Sequence, residues 1–156
     1  MKFIKAEKGR FSFQVSNREK HLLLDVLNLY PLIPASYQRL SRSDEKPEDR
    51  ELLEEALAAQ RSKNKKQLQA LLKAKSRFRP DQNGWRFSLK PEQMNWLLQV
   101  LNDIRVGSWL QLGSPDGPEK IPEALGNKTA GYFWAMEVCG QVQMALLAAL
   151  DDGGAA

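Results

Sequence analysis

The sequence predicts an α+β fold, mostly helical, with about five helices and a small antiparallel sheet of two or three strands. Three observations predict it. Short runs alternate polar and apolar residues near the start and the middle of the chain. Longer stretches repeat their apolar residues at helical spacing. One strand-helix signature also occurs twice. Arg10-Phe11-Ser12-Phe13 leads into Leu23-Leu24-Asp25-Val26-Leu27-Asn28, and Arg86-Phe87-Ser88-Leu89 leads into Leu97-Leu98-Gln99-Val100-Leu101-Asn102. The helical parts align at a separation of 74 residues and the strand parts at 76, so the match needs a two-residue gap.

The first two strands fall at residues 2–6 and 10–15, around a turn at Glu7-Lys8-Gly9. Phe11, Phe13 and Val15 share one face. Ser16-Asn17-Arg18-Glu19 fits a reciprocal capping box and opens a helix that should stop at Tyr30, before Pro31. Pro34 opens a short second helix through Tyr37 and Leu40. A long helix is expected from Pro47 to about Lys75, with acids crowding its start and bases its second half, as the helix dipole favours. Its apolar stripe lapses over residues 61–67, where a break or an exposed stretch is expected. A third strand is expected at 85–89, with Trp85, Phe87 and Leu89 on one face. The next helix runs from Pro91 to near Gly113. Residues 113–128 read as loop, with a helical turn at Pro122–Leu125. The last helix spans Thr129–Leu150. One domain thus covers residues 1–150, followed by a disordered tail at 151–156.

Composition excludes several classes. No run of consecutive apolar residues reaches the roughly 18 of a membrane span. The charged start is unlike a signal peptide, so a cytoplasmic setting is expected. One cysteine, Cys139, forbids an internal disulfide, and with one histidine, His21, it forbids a His/Cys metal cluster. No phosphate-binding glycine loop or nucleophile motif is present, so neither cofactor nor metal is expected, nor an enzyme. His21 reads as a surface residue and Cys139 as a small buried hydrophobe.

Two constellations stand out. The Pro91 helix is apolar nearly all round, yet carries Asp103 and Arg105 on apolar flanks about 160° apart. Both are expected to be largely buried and paired to different elements: Asp103 with Arg18 or Arg39, Arg105 with Glu137 or a backbone carbonyl. With Asn102 they are the candidate ligand or partner site, against a purely structural role. The second constellation is basic. Residues 57–80 hold 8 basic side chains and no acid: Arg61, Lys63, Lys65, Lys66, Lys73, Lys75, Arg77 and Arg79. Phe78 and Trp85 lie near them, which suits single-stranded nucleic acid. The competing reading is a solvated helix end with both rings packed inward.

Leu101-Asn102-Asp103-Ile104-Arg105, preceded by Trp96 and followed by Gly107 and Leu110, resembles the helix of a bacterial family best represented in actinobacteria. The Phe-x-Phe strand, the Leu-rich first helix, Pro34-Ala35-Ser36-Tyr37 and the apolar last helix also look like it. The family is often encoded near a Clp-protease adaptor, and its function is not established. After Arg105 this chain departs from the family pattern, with Gly107-Ser108-Trp109 in place of an aliphatic-Gly stretch. The resemblance implies a bacterial cytosolic protein. Together with the surplus apolar surface of the last helix, it leads to a regulatory or adaptor protein that binds another protein or itself through that helix. Nucleic-acid binding through residues 57–80 is the alternative, and a small-molecule or enzymatic site around Asn102, Asp103 and Arg105 the third.

Overall fold

A computed structural model describes residues 1–32, 47–73, 77–120, 126 and 129–154. The fold is α+β and mostly helical. In chain order come β1 (Lys2–Glu7), β2 (Arg10–Val15), α1 (Asn17–Leu27), α2 (Pro47–Lys73), β3 (Arg79–Asp81), β4 (Gly84–Leu89), α3 (Pro91–Gln111), a 3-10 turn (Pro118–Lys120) and α4 (Ala130–Gly154). The described residues thus hold four α-helices and four strands, against the expected five and two or three. The expected helices at Pro34–Leu40 and Pro122–Leu125 lie outside the described residues.

The sheet is antiparallel throughout, in the order β1-β2-β4-β3. Two hairpins therefore lie side by side, joined through their second strands. The repeat in the sequence explains this arrangement. Ser12 pairs directly with Ser88, the residue 76 positions on that matches it in the repeat. Phe11 pairs with Leu89, and Phe13 with Phe87, so each member of one unit faces the reflected member of the other. A local pseudo-twofold axis passes between the two serines, whose hydroxyls are 2.9 Å apart.

The helices keep the same correspondence at 74 residues. Glu19 N–H donates to Ser16 Oγ at 3.1 Å and Ser16 N–H to Glu19 Oε1 at 2.9 Å, completing the expected capping box. At the equivalent place Lys90 N–H donates to Gln93 Oε1 at 2.9 Å, ahead of Pro91 in the first turn. Leu23, Val26 and Leu27 of α1 are buried, as are their counterparts Leu97, Val100 and Leu101 of α3. α1 ends at Leu27 rather than at Tyr30, because the chain turns there to bury the Tyr30 ring. α3 ends in a Schellman motif, with Gly113 N–H on Leu110 O, Ser114 N–H on Trp109 O and Gly113 at φ 83°.

The core lies on one face of the sheet. Phe11, Phe13, Val15, Phe87 and Leu89 point into it, with Phe13 stacked on Phe87 at 5.4 Å between centroids. α1 and α4 touch the sheet, and α3 packs along α4 and beside α1. Thus α1 and α3 are neighbours, as the repeat implies, but the principal partner of α3 is α4. Ala135, Cys139, Val142, Leu146 and Ala149 form the buried stripe of α4.

Three boundaries correct the sequence reading. α2 is continuous through residues 61–67, so the break does not occur, while Ser62, Lys63, Lys66 and Gln67 are exposed as the other expectation had it and Asn64 alone is buried. β3 was missed, being three residues long with Pro80 in its middle, a composition that argues against a strand. α4 continues through Gly154, so residues 151–154 are not a disordered tail. Gly153 lies so close to Phe11 that a Cβ there would come within 2.5 Å of the ring, which ties the helix end to the sheet.

Candidate functional site

The three residues singled out on α3 do not converge. Asn102 is exposed. Arg105 is exposed too, contrary to expectation, and its Nη1 reaches Gln143 Oε1 of α4 at 3.4 Å rather than Glu137. Asp103 is partly buried on the opposite flank. Arg18 is exposed, and Arg39 lies outside the described residues. The cation that acts on Asp103 is Arg61 of α2. Burial pushes the Asp103 carboxyl above its usual range, and Arg61 opposes that rise. The expectation of two buried, separately paired charges therefore fails for Arg105 and holds only in part for Asp103.

Asp103 sits at the end of a polar seam that the sequence reading missed. Asn64 of α2 is 5 % exposed and stands at its centre. Its Nδ2 donates to Tyr30 Oη at 3.2 Å, and its Oδ1 accepts from Trp96 Nε1 at 3.1 Å and from Gln60 Nε2 at 3.0 Å. Lys65 Nζ caps the Tyr30 carbonyl at 2.8 Å. Burial raises the Tyr30 phenol above its usual range. Trp96, which leads the motif on α3, therefore clamps α2 to the body. One signal was legible: a polar residue at helical register where an apolar stripe lapses, opposite an indole that needs an acceptor. Beside this clamp Gln67, Leu71, Arg77, Glu92 and Trp96 line a cleft of about 420 Å³.

The structure divides the basic segment. Lys63 and Lys66 are exposed on α2, while Arg61 and Lys65 belong to the seam. Lys73 is the last residue of α2, and Lys75 lies outside the described residues. Arg77 and Arg79 leave the helix altogether. Arg77-Phe78-Arg79-Pro80-Asp81 alternates, with Arg79 opposite Arg86 in the β3–β4 register. Phe78 turns inward onto Phe87 at 5.3 Å. Trp85 donates to Asn17 Oδ1 at 3.2 Å and is covered by Lys20 Nζ at 3.5 Å from its centroid. Neither ring is free to stack on a base, so the expected mixture of cations and open aromatics is absent from that segment. Instead Arg10, Arg77, Arg79 and Arg86 line one cleft of about 550 Å³ with Phe87 and Ser88. Arg10 and Arg86 were not singled out from the sequence, yet each opens its copy of the Arg-Phe-Ser repeat.

On α4 the face turned away from the core carries large apolar side chains, with Glu137 and Gln141 exposed among them. Trp134 is 65 % exposed, Met144 73 % and Leu147 52 %. By length and composition α4 is able to cross a membrane over Ala130–Gly153. Counting consecutive apolar residues missed this, because Glu137, Gln141 and Gln143 interrupt the run. One face of α4 is nonetheless core of the present fold. Leu22 of α1, with Val138 and Gln141, borders a small cleft beside it. His21 is exposed. Cys139 is fully buried and burial pushes its thiol up to about 12, which leaves it protonated and unreactive. Among the described residues no three His, Cys, Asp or Glu side chains are placed to hold one metal ion. No protein-family model, curated protein or solved structure matches the chain.

Proposed function

We propose that this chain is a non-enzymatic binding protein of the bacterial cytoplasm, regulatory or adaptor in role, that docks a partner protein on the outer face of α4. The observation that carries the reading is the exposure of Trp134, Met144 and Leu147 on one helix. Large side chains of this kind rarely face water together without a partner, and Trp and Met are enriched in protein interfaces. Trp134 lies four and seven residues before Val138 and Gln141, hence on the flank where Leu22 extends the apolar surface. The resemblance of the Trp96 helix to a bacterial family encoded near a protease adaptor supports the same reading.

The test is a photo-crosslinking residue at position 144, with position 63 on α2 as control, in the native cell. One protein partner should be trapped from 144 and not from 63. With the crosslinker kept at 144, Trp134→Ala with Leu147→Gln should abolish the crosslink and leave the melting temperature within about 2 °C of the parent, as for other surface changes. A crosslink to a second copy of the chain makes the interface one of self-association. Capture of lipid alone, or a crosslink that survives the double substitution, overturns the proposal.

A further inference from the structure

The face of the sheet opposite the core carries an unusual set of charges. Register places Lys2, Gln14, Arg86 and Arg79 in one row across all four strands. Lys5, Ser12 and Ser88 form the next row, and Arg10 follows on β2. Arg79 stands directly opposite Arg86, and like charges in that position oppose the pairing of the strands. Two acids relieve part of the repulsion. Asp81 accepts from Arg86 at 3.2 Å, and Glu7 takes Lys5 at 2.6 Å. Among the described residues Arg10, Arg79 and Lys2 have no ion pair. Arg77 donates from Nη1 to Ser88 O at 3.1 Å, while its buried Nε has no partner among the described residues.

Four arginines line one cleft of about 550 Å³, and of these Arg86 is already paired with Asp81. Their guanidinium forks suit phosphate, which they bind through two parallel hydrogen bonds. The row from Lys2 to Arg79 crosses three strand spacings, roughly 14 Å, which is longer than any single phosphate group. The rings of Phe11, Phe13 and Phe87 face the core, and Lys20 covers Trp85, so recognition here rests on phosphate and not on base stacking. The arrangement also follows the pseudo-twofold axis. Arg10 and Arg86 each stand two residues before a serine of the central pair, so they approach the cleft from opposite ends of β2 and β4.

We propose that this outer sheet face binds the phosphodiester backbone of nucleic acid, through Arg10, Arg77, Arg79 and Arg86 and without sequence preference. The site is separate from α4 and does not depend on the function proposed there. It differs from the surface expected on α2, since Lys63 and Lys66 take no part.

The experiment is fluorescence anisotropy of a labelled mixed-sequence RNA strand between 50 and 200 mM KCl, concentrations over which counterion release weakens such binding steeply. Four neutralised phosphates give a slope of log K against log salt of about −3 on a single strand. Arg10→Gln with Arg79→Gln should roughly halve that slope and weaken binding at low salt by about tenfold or more. Lys63→Gln with Lys66→Gln should leave both unchanged. Arg10 and Arg79 are exposed, so the first double variant should melt like the parent. If it melts lower, Arg79→Gln alone decides the matter, through a slope smaller by about 0.7. Absence of RNA binding at low salt overturns the proposal, as does a larger loss in the α2 variant than in the sheet variant. Binding to phosphatidylserine vesicles without binding to RNA overturns it as well.

Discussion

Asn64 shows how much one polar side chain can hold. It is buried, and it satisfies both the Tyr30 hydroxyl and the Trp96 indole. Removing it leaves these partners unmatched in a dry seam, where each lost bond carries a desolvation cost. Asn64→Ala should therefore destabilise the protein by about 2 kcal/mol or more in urea unfolding, with Lys63→Ala within about 0.5 kcal/mol of the parent. Equal effects of the two would show that the seam carries no stability. Asp103 behaves in the opposite sense. Burial raises its pKa in the folded state, so stability starts to fall as pH rises past the ordinary carboxylate value and the cost is complete above the raised one. The cost is absent below the ordinary carboxylate range and fully present at neutral pH. Asp103→Asn should thus melt at or slightly above the parent at pH 7, and the difference should close as pH falls through about 4. A clear drop in melting temperature at pH 7 would mean that the attraction of Arg61 outweighs burial.

At the level of elements, what the sequence revealed depended on periodicity and turn chemistry. Ser16 and Glu19, Pro91, Gly113 and the Phe11-Phe13-Val15 alternation each name a local cause, and each boundary they mark lies within a few residues of the observed one. The exception is the end of α1, which is set by the burial of Tyr30, a tertiary demand that no local signal records. β3 was illegible for a related reason: its pairing with β4, not its composition, makes it a strand. For the site, arithmetic around α3 correctly set Asp103 and Arg105 on different sides, but gave no depth to either. Arg105 is exposed and meets Gln143 of α4, and Asp103 feels Arg61 only because α2 docks there. The hairpin joining β3 to β4 supplies a sharper test. A Cβ on Gly84 would stand 2.2 Å from the Val15 carbonyl oxygen, whereas one on Gly131 of α4 meets nothing within 4 Å. Gly84→Ala should cost about 1–3 kcal/mol, since backbone must shift to admit the methyl. Gly131→Ala should be neutral or add up to about 1 kcal/mol. Similar melting of the two variants would show that the β2–β4 contact yields freely.

Across the whole molecule, surfaces of different chemistry coexist on one small core. Apolar residues face outward on α4, cations gather on the far side of the sheet, and a polar seam fastens α2. The pseudo-twofold relation between the two hairpins places β2 and β4 in the middle, where both rims of each are paired. It also decides which strands are left at the margins. β1 is interrupted by a register shift between Phe3 and Lys5 and presents Lys2 and Lys5. β3 is three residues long and contains Pro80, which has no N–H to offer. A bulge, a proline and repeated positive charge are the devices by which sheets avoid recruiting further strands. Joining the hairpins through their inner strands has thus confined the open hydrogen-bonding groups to the two stretches least able to template aggregation.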